Sequence, residues 1–186
     1  MGLKAAVGYW RHDTRLEYHR DAATLQEKTA EGNTVSTLKS KQRLVISAAD
    51  KLLTTLGPDK GYVFEPENGL VIASDSVVAH DMVSLAWLLE NRRRIPASER
   101  DGFIDTNKVV PRIVNHVVTS WIGGWGPALA SEPMRKNSLN TIWDDGILNH
   151  GYKIFGGVPV ILLESANKIF PEDLKYRLGG MTTFPV

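Results

Sequence analysis

The stretch GLVIASDSVVAHDMVSLAWLLENRRR, residues Gly69 to Arg94, decides the fold class of this chain. The four apolar residues from Leu70 to Ala73 have the length of a buried strand, and after the Ser-Asp-Ser sequence the apolar residues recur with helical spacing. The members of this helical stripe are Val78, Met82, Leu85 and Leu89. The three arginines at its end suit the negative end of a helix dipole. The stretch therefore predicts a strand that leads directly into a helix.

Composition indicates an ordinary globular chain. The 186 residues are 42% hydrophobic and 23% charged, which is enough for one domain with its own core. The formal net charge of +1 creates no general attraction to nucleic acid, so we do not expect nucleic-acid binding. No apolar run reaches the roughly 18 residues of a membrane span, and no signal peptide is recognisable. We therefore expect a cytoplasmic protein without a membrane partner.

The chain contains no cysteine, which limits the chemistry that it can support. Disulfides, thiol nucleophiles and Fe–S clusters are excluded, and a metal would need Asp, Glu, His or backbone oxygen ligands. A phosphate-binding loop with lysine, a Gly-x-Ser-x-Gly motif and a His-Glu-x-x-His pair are all missing from the sequence. We therefore expect no Fe–S cofactor, and a divalent cation such as Mg²⁺ is the cofactor to consider.

Further strands and helices are predicted on both sides of the Gly69 to Arg94 stretch. Before it we expect a strand at Met1 to Val7, a helix from Asp21 to about Ala30, a strand at Arg43 to Ala48, and a hairpin in which Tyr62 to Phe64 pairs with Leu70 to Ala73 through an Asn68-Gly69 turn. After it we expect a helix beginning at Pro111, a strand at Val158 to Leu163 and a short terminal helix at Pro171 to Leu178.

This alternation of strands and helices predicts an α/β fold with a mixed or mostly parallel sheet and flanking helices, in one compact domain. Residues 1–96 would form the α/β core that holds the site. Residues 97–186 would form a helical and mixed C-terminal extension packed on the same domain.

Carboxylates follow or flank the ends of the predicted strands. Asp50 follows one strand, and Asp75 and Asp81 flank the join between strand and helix. For Asp75 a helix N-cap is the simpler interpretation. At roughly 100° per residue, Asp81 lies about 60° from the centre of the apolar stripe, so it should be partly buried and should need a partner. His80 points nearly away from the stripe, which favours a solvated or interfacial position.

A second polar group lies near the C-terminus and contains Asp144, Asp145, Asn149 and His150. Asp-Gly turns commonly lie beside polar residues, and this spacing matches no metal-binding motif that we can justify. We therefore do not predict a site there.

Several stretches together resemble the C-terminal half of the family catalogued as domain of unknown function 362. They are GLKAAVG at Gly2 to Gly8, RLEYH at Arg15 to His19, the strand ending at Asp50, the turn from Gly57 to Gly61 and, above all, IASDSVVAHD at Ile72 to Asp81. The family usually has a proline where this chain has Ser76, and here His80 precedes the second aspartate.

This resemblance implies an α/β fold without an established reaction. Some relatives carry ferredoxin-like clusters, which a chain without cysteine cannot hold. The positions that match by motif are Lys4, Arg15, His19, Asp50, Asp75 and Asp81. Family members usually have a further α/β portion before the GLK segment, so the resemblance implies a natural short form or a truncated reading frame. An unpaired sheet edge would then be covered by a second copy, and we expect a homodimer.

Two functions are compatible with these observations. In the first, an acidic site binds a divalent cation, with Asp75 and Asp81 as metal ligands, or an anionic small molecule. Lys4, Arg15 and Asp50 are its ligand-binding residues, and His19 acts as acid or base. A metal-assisted hydrolase or transferase is then the simplest enzyme, with catalytic residues His19, Asp75 and Asp81. The alternative is a non-catalytic oligomeric structural or interaction module, in which the same side chains are helix caps and ion pairs.

Overall fold

The computed structural model describes residues 2–11, 22–54, 62–101, 117, 139–167 and 169–185. Its α-helices are α1 Gly2–Ala5, α2 Ala22–Glu31, α3 Ser36–Lys41, α4 Val77–Arg92, α5 Ala97–Asp101, α6 Gly146–Ile154 and α7 Glu172–Thr182. Its strands are β1 Val45–Ala49, β2 Leu52–Leu53, β3 Val63–Phe64 and β4 Leu70–Ser74. Short 3₁₀ helices cover Ala6–Tyr9, Gly32–Thr34 and Ile142–Asp144. The described part of the chain is therefore a mixed α/β structure in which helix predominates.

The strands form two antiparallel pairs. β1 pairs with β4 over five positions, from Val45 opposite Ser74 to Ala49 opposite Leu70. β2 pairs with β3. β2 directly follows β1 in the chain, and β3 directly precedes β4, so the two pairs lie one after the other along the same two chain segments. The predicted mixed or mostly parallel sheet is therefore wrong for the described strands. A parallel pair needs a long crossover connection, whereas this chain turns back and pairs with itself at once.

The predicted hairpin through Asn68-Gly69 is also wrong. β3 and β4 pair with different partners, so residues 65–69 connect two ladders and do not close a hairpin. Gly69 has another role, because a Cβ atom added there would lie only 2.7 Å from the Cα of Asp50. The glycine lets the two chain segments approach closely between the β1–β4 and β2–β3 pairs.

Helix α4 lies at the centre of the described structure and confirms the predicted step from strand to helix. It contacts β1, β4, α1, α6 and α7. The core residues that it supplies include Val78, Met82, Leu85, Trp87 and Leu89. The indole N–H of Trp87 donates to the Ala49 carbonyl over 3.1 Å, which ties the helix to β1. A helix surrounded in this way is buried on nearly all sides, so its apolar stripe is only part of its buried surface.

The N-terminal segment is helical, so the strand predicted for Met1 to Val7 is wrong. α1 continues into the 3₁₀ helix Ala6–Tyr9, and Leu3 is fully buried in the core. The carboxylate of Asp81 accepts hydrogen bonds from the first backbone N–H groups of α1, those of Gly2 and Leu3. These groups have no partner within a helix, so a carboxylate placed there stabilises the helical conformation.

The C-terminal part packs on the same central helix. α6 contacts α2 and α4, and α7 contacts α4. The terminal helix predicted at Pro171 to Leu178 is confirmed and extends to Thr182. The segment predicted as a strand at Val158 to Leu163 lies outside regular secondary structure and pairs with no described strand. The helix predicted from Pro111 lies outside the described residues.

Membrane spans and domain boundaries are the two remaining points about the organisation of the chain. Among the described residues, no helix combines the length and the apolar character that crossing a membrane requires. The division into a core at residues 1–96 and an extension at residues 97–186 stays a prediction.

Candidate functional site

A groove of about 890 Å³ runs beside β4. Two chain segments supply most of its described lining: residues 67–76, which contain β4, and residues 159–171 without residue 168. Helix α4 adds Ala79, His80 and Val83, and helix α7 adds Leu178. The groove is therefore lined by two non-helical segments and by side chains of the two helices that pack against each other.

Both segments alternate between exposed and covered side chains, as strands do. In β4, Val71 is 76% exposed whereas the neighbouring Ile72 is buried. In the second segment, Val160 is 98% exposed and Leu162 is 80% exposed, whereas Ile161 and Leu163 pack against the core. A period of two is typical of a strand with one covered face.

Neither segment uses all of its backbone hydrogen-bonding capacity within the described structure. β4 pairs with β1 along one edge, and no other described strand pairs with it. Residues 158–165 belong to no described ladder, and no backbone hydrogen bond joins them to β4. Each segment therefore presents backbone N–H and C=O groups that an additional strand can use.

The charged residues among the described lining of the groove are all acidic. Glu67 precedes β4, Asp75 follows it, and Glu164 lies on the second segment. All three are exposed, and none forms an ion pair with a lysine, arginine or histidine in the described parts of the chain. No lysine or arginine appears among the described lining residues, although the whole chain has 22 basic and 21 acidic side chains. The described part of the lining is therefore acidic.

A buried histidine and aspartate lie behind this surface. Nδ1 of His80 lies 2.9 Å from Oδ1 of Asp81. The backbone N–H of Gly2 donates to the same carboxylate oxygen over 2.6 Å, and that of Leu3 donates to Oδ2 over 3.0 Å. Because both carboxylate oxygens act as acceptors, the hydrogen-bond network assigns the proton to Nδ1 of His80. Nε2 of His80 is buried without a hydrogen-bond partner in the described part of the chain.

The solvated position predicted for His80 is wrong, whereas the interfacial alternative stays a prediction. Its side chain is fully buried and lines the groove, whereas a solvated or interfacial position was expected. The expectation assumed that the side of α4 away from the apolar stripe faces solvent. Since α4 is enclosed on nearly all sides, that direction leads into the protein.

Asp81 is buried and partnered, as its position beside the stripe predicted. Its partners are the backbone N–H groups at the start of α1 and the side chain of His80. The sequence predicted neither the helical conformation of α1 nor the burial of His80. These contacts explain the burial of the carboxylate without a ligand. Its roles in catalysis and in metal binding stay predictions, and among the described residues no group of three or more histidine or acidic side chains could hold a metal ion.

Asp75 is exposed and lines the groove. Its interpretation as the N-cap of the helix is wrong, because Ser76 occupies that position and its hydroxyl accepts from the Ala79 backbone N–H over 3.2 Å. The hydroxyl of Ser74 in turn accepts from the Ser76 backbone N–H over 3.1 Å. The carboxylate of Asp75 is therefore left available at one end of β4.

Of the remaining predicted site residues, two lie away from the described lining of the groove and two are not described by the structure. Lys4 on α1 and Asp50 after β1 are both exposed, and neither lines it. Arg15 and His19 lie outside the described residues. The structure thus brings Asp75 and His80 to one groove, with Asp81 directly behind His80.

The C-terminal polar residues are mainly helix caps. Asp144 and Thr141 form a capping box, and the hydrogen bond from the Thr141 backbone N–H lowers the pKa of the Asp144 carboxyl. Asp145 caps α6 by accepting from the Leu148 backbone N–H over 2.8 Å. Burial raises the pKa of Asp145, and the negative charge of Asp81 raises it further. No pattern in the sequence indicates this proximity between Asp145 and Asp81.

Tyr152 of α6 lies close enough to Asp145 to be affected by its charge. It is 8% exposed, and its hydroxyl has no hydrogen-bond partner among the described residues. Burial raises the pKa of its phenol to about 12, and the charge of Asp145 acts in the same direction. The phenol is therefore neutral at physiological pH.

Comparisons of this chain with protein-family models, with curated proteins and with solved structures returned no match. The resemblance to the domain of unknown function 362 family stays a prediction.

Proposed function

We propose that this chain is a binding module that accepts an extended peptide segment of a partner in the groove beside β4. The observation that supports the proposal is the presence of two strand-like segments, β4 and residues 158–165, that border one groove without pairing with each other. Adding a strand to an exposed sheet edge is a common mode of peptide recognition. Of the two functions that the sequence suggests, this is the interaction module.

Strand addition gains free energy from backbone hydrogen bonds and from the burial of apolar side chains, and the groove offers both. Backbone hydrogen bonds to the free edge contribute about 0.5–1.5 kcal/mol each. Apolar side chains that now face solvent, such as Val71, Val160 and Leu162, would be covered by the incoming segment. Burial of apolar surface contributes about 25 cal/mol per Å². Contiguous exposed apolar surface is a feature of interaction sites in soluble proteins.

The first function that the sequence suggests has less support in this groove. An anionic ligand would meet Glu67, Asp75 and Glu164, and like charges repel. A divalent cation such as Mg²⁺, together with a metal-assisted hydrolase or transferase reaction, stays a prediction. So does the homodimer, in which a second copy would cover an unpaired sheet edge.

The proposal is tested by measuring the binding of a short synthetic peptide with a fluorescent label. The peptide has a Val-Thr-Val-Thr-Val centre flanked by glutamines, and its ends are acetylated and amidated so that it carries no charge. We expect saturable binding by fluorescence anisotropy. A peptide with the same side chains but N-methyl groups along its centre should bind at least tenfold more weakly, because it lacks the N–H donors of a strand.

Two protein variants locate the binding. Val71→Lys places a charge on β4 inside the groove, and Ile46→Lys places the same charge on β1, where the side chain is exposed and outside the described groove lining. Only Val71→Lys should weaken binding. Equal binding of the methylated and unmethylated peptides would show that no strand is added, and an equal effect of the two substitutions would place the site elsewhere.

A further inference from the structure

We infer that the partner segment is cationic, with basic residues at both ends of a short apolar centre that carries a hydrogen-bond donor. This inference rests on the proposed strand binding and names the chemistry of the partner. Two independent features of the groove support it: the charge of its lining and the unpartnered nitrogen of His80.

The carboxylates of the groove are placed to receive basic residues. Glu67 and Asp75 lie before and after β4, so a segment that runs along the strand meets one carboxylate near each end. Glu164 adds a third carboxylate from the other lining segment. Because no lysine or arginine among the described lining residues offsets these charges, a cationic segment is complementary to the groove and an anionic one is repelled.

The length of β4 gives the size of the apolar centre. The strand has five residues, which at about 3.3 Å per residue extends for about 17 Å. A partner with about five residues between its basic ends therefore matches the length of β4, the strand that Glu67 and Asp75 flank. The apolar side chains of Ile72 and Val83 line the groove along this length.

His80 provides the second feature. With Nδ1–H directed at Asp81, Nε2 is the ring nitrogen that remains, and it carries a lone pair without a partner in the described residues. The side chain lines the groove and is fully buried, so an unused acceptor there is unfavourable. A partner that places a hydroxyl or amide donor against Nε2 removes this cost, whereas a purely apolar centre does not.

The charge requirement is tested with three peptides that share the Val-Thr-Val-Thr-Val centre and carry two lysines, two glutamines or two glutamates at each end. At low ionic strength we expect the lysine peptide to bind at least tenfold more tightly than the glutamine peptide, and the glutamate peptide to bind most weakly. The advantage of lysine should shrink as salt is added, because salt screens exposed charges.

A matched pair of triple variants separates local from overall charge. Glu67→Gln, Asp75→Asn and Glu164→Gln together remove the acidic charges of the described groove lining. The control combines Glu27→Gln, Glu99→Gln and Glu172→Gln, which changes the net charge equally at exposed positions outside the described lining. The preference for lysine should disappear only in the groove variant. If both triple variants lose the preference for lysine, or if both keep it, the charge effect does not come from the groove carboxylates.

The donor requirement is tested by replacing both threonines of the lysine peptide with valine, which has a similar shape but no hydroxyl. This change should weaken binding to the wild-type chain several-fold. His80→Asn keeps an amide donor for Asp81 and removes the Nε2 acceptor, so this variant should no longer distinguish threonine from valine. If the wild-type chain does not distinguish them either, the role assigned to His80 is wrong.

The results also separate this inference from the proposed function. Equal binding of the lysine, glutamine and glutamate peptides would overturn the cationic partner and leave strand binding in place. Failure of all three peptides to bind would overturn both. A concentration-dependent doubling of the mass in light scattering, with the loss of peptide binding, would show that a second copy fills the groove.

Discussion

Asp81 is the residue at which three parts of the chain meet. Its carboxylate caps the start of α1, accepts from His80 of α4, and lies near enough to Asp145, the cap of α6, to raise the pKa of that residue. A single buried carboxylate therefore holds the start of α1 against α4, and its negative charge also acts on the cap of α6. Such a charge is stable only because hydrogen-bond donors surround it.

We expect Asp81→Asn to lower the free energy of unfolding by about 1.5–3 kcal/mol, the contribution typical of a hydrogen bond to a charged group. The amide removes the negative charge, and one of its two polar atoms is a donor that cannot accept from the N–H groups of Gly2 and Leu3. Urea unfolding measures the change. Asp75→Asn is the control, because its exposed carboxylate should contribute less than about 0.5 kcal/mol.

Equal effects of the two substitutions would contradict the structural role of Asp81. The comparison also bears on the metal-site prediction. If Mg²⁺ raised the unfolding temperature of chelator-treated protein and the rise disappeared in both variants, the two carboxylates would act as ligands.

Helix α4 is the element on which the fold depends, and different interactions stabilise its two ends. At the N-terminus the hydroxyl of Ser76 accepts from the Ala79 backbone N–H. Near the C-terminus the buried carboxylate of Glu90 accepts from Arg177 of α7 over 3.1 Å and from Arg94 over 3.4 Å. Glu90 can be buried at this polar end of the helix because Arg177 supplies a charged donor from another helix.

We expect Ser76→Ala to destabilise the protein by about 1 kcal/mol, since it removes the N-cap of α4. Asp75→Ala should have a much smaller effect on stability, because Asp75 is exposed and does not cap the helix. Chemical unfolding of the two variants decides between the caps. A larger loss of stability for Asp75→Ala than for Ser76→Ala would show that Asp75 is the N-cap, as the sequence predicted.

At the scale of the whole molecule, the carboxylates have opposing effects on the dependence of stability on pH. Burial raises the pKa of Asp145, whereas hydrogen bonds lower the pKa of Asp144 and Asp173. A raised pKa contributes stability that is present at low pH and is lost as the pH rises through the folded-state value. A lowered pKa contributes stability that is present at neutral pH and is lost on acidification.

We therefore expect Asp145→Asn to become more favourable, relative to the wild-type chain, as the pH increases from 3 to 7. Asparagine is also a good N-cap and carries no charge, so the variant avoids both the burial of a carboxylate and its repulsion by Asp81. Urea unfolding at several pH values measures the difference in the free energy of unfolding. A difference that is constant across this range, or that moves in the opposite direction, would contradict the raised pKa.

The sequence by itself determined the features that depend on local spacing. The step from β4 into α4 follows from a four-residue apolar run and a helical stripe within one stretch of chain, and α2, β1 and α7 follow from similarly local patterns. The absence of cysteine likewise excluded thiol and Fe–S chemistry without any knowledge of the fold. These features need no information about distant residues.

Only the tertiary structure decided the direction of strand pairing, the partners of Asp81, the burial of His80 and the acidic lining of the groove. Asp81 and Gly2 are 79 positions apart, and Arg177 and Glu90 are 87 positions apart, so no local period indicates that they meet. Whether a polar side chain faces solvent depends on what else packs against its helix. That is a property of the assembled core, and it is the reason that His80 was misplaced whereas the helix that carries it was not.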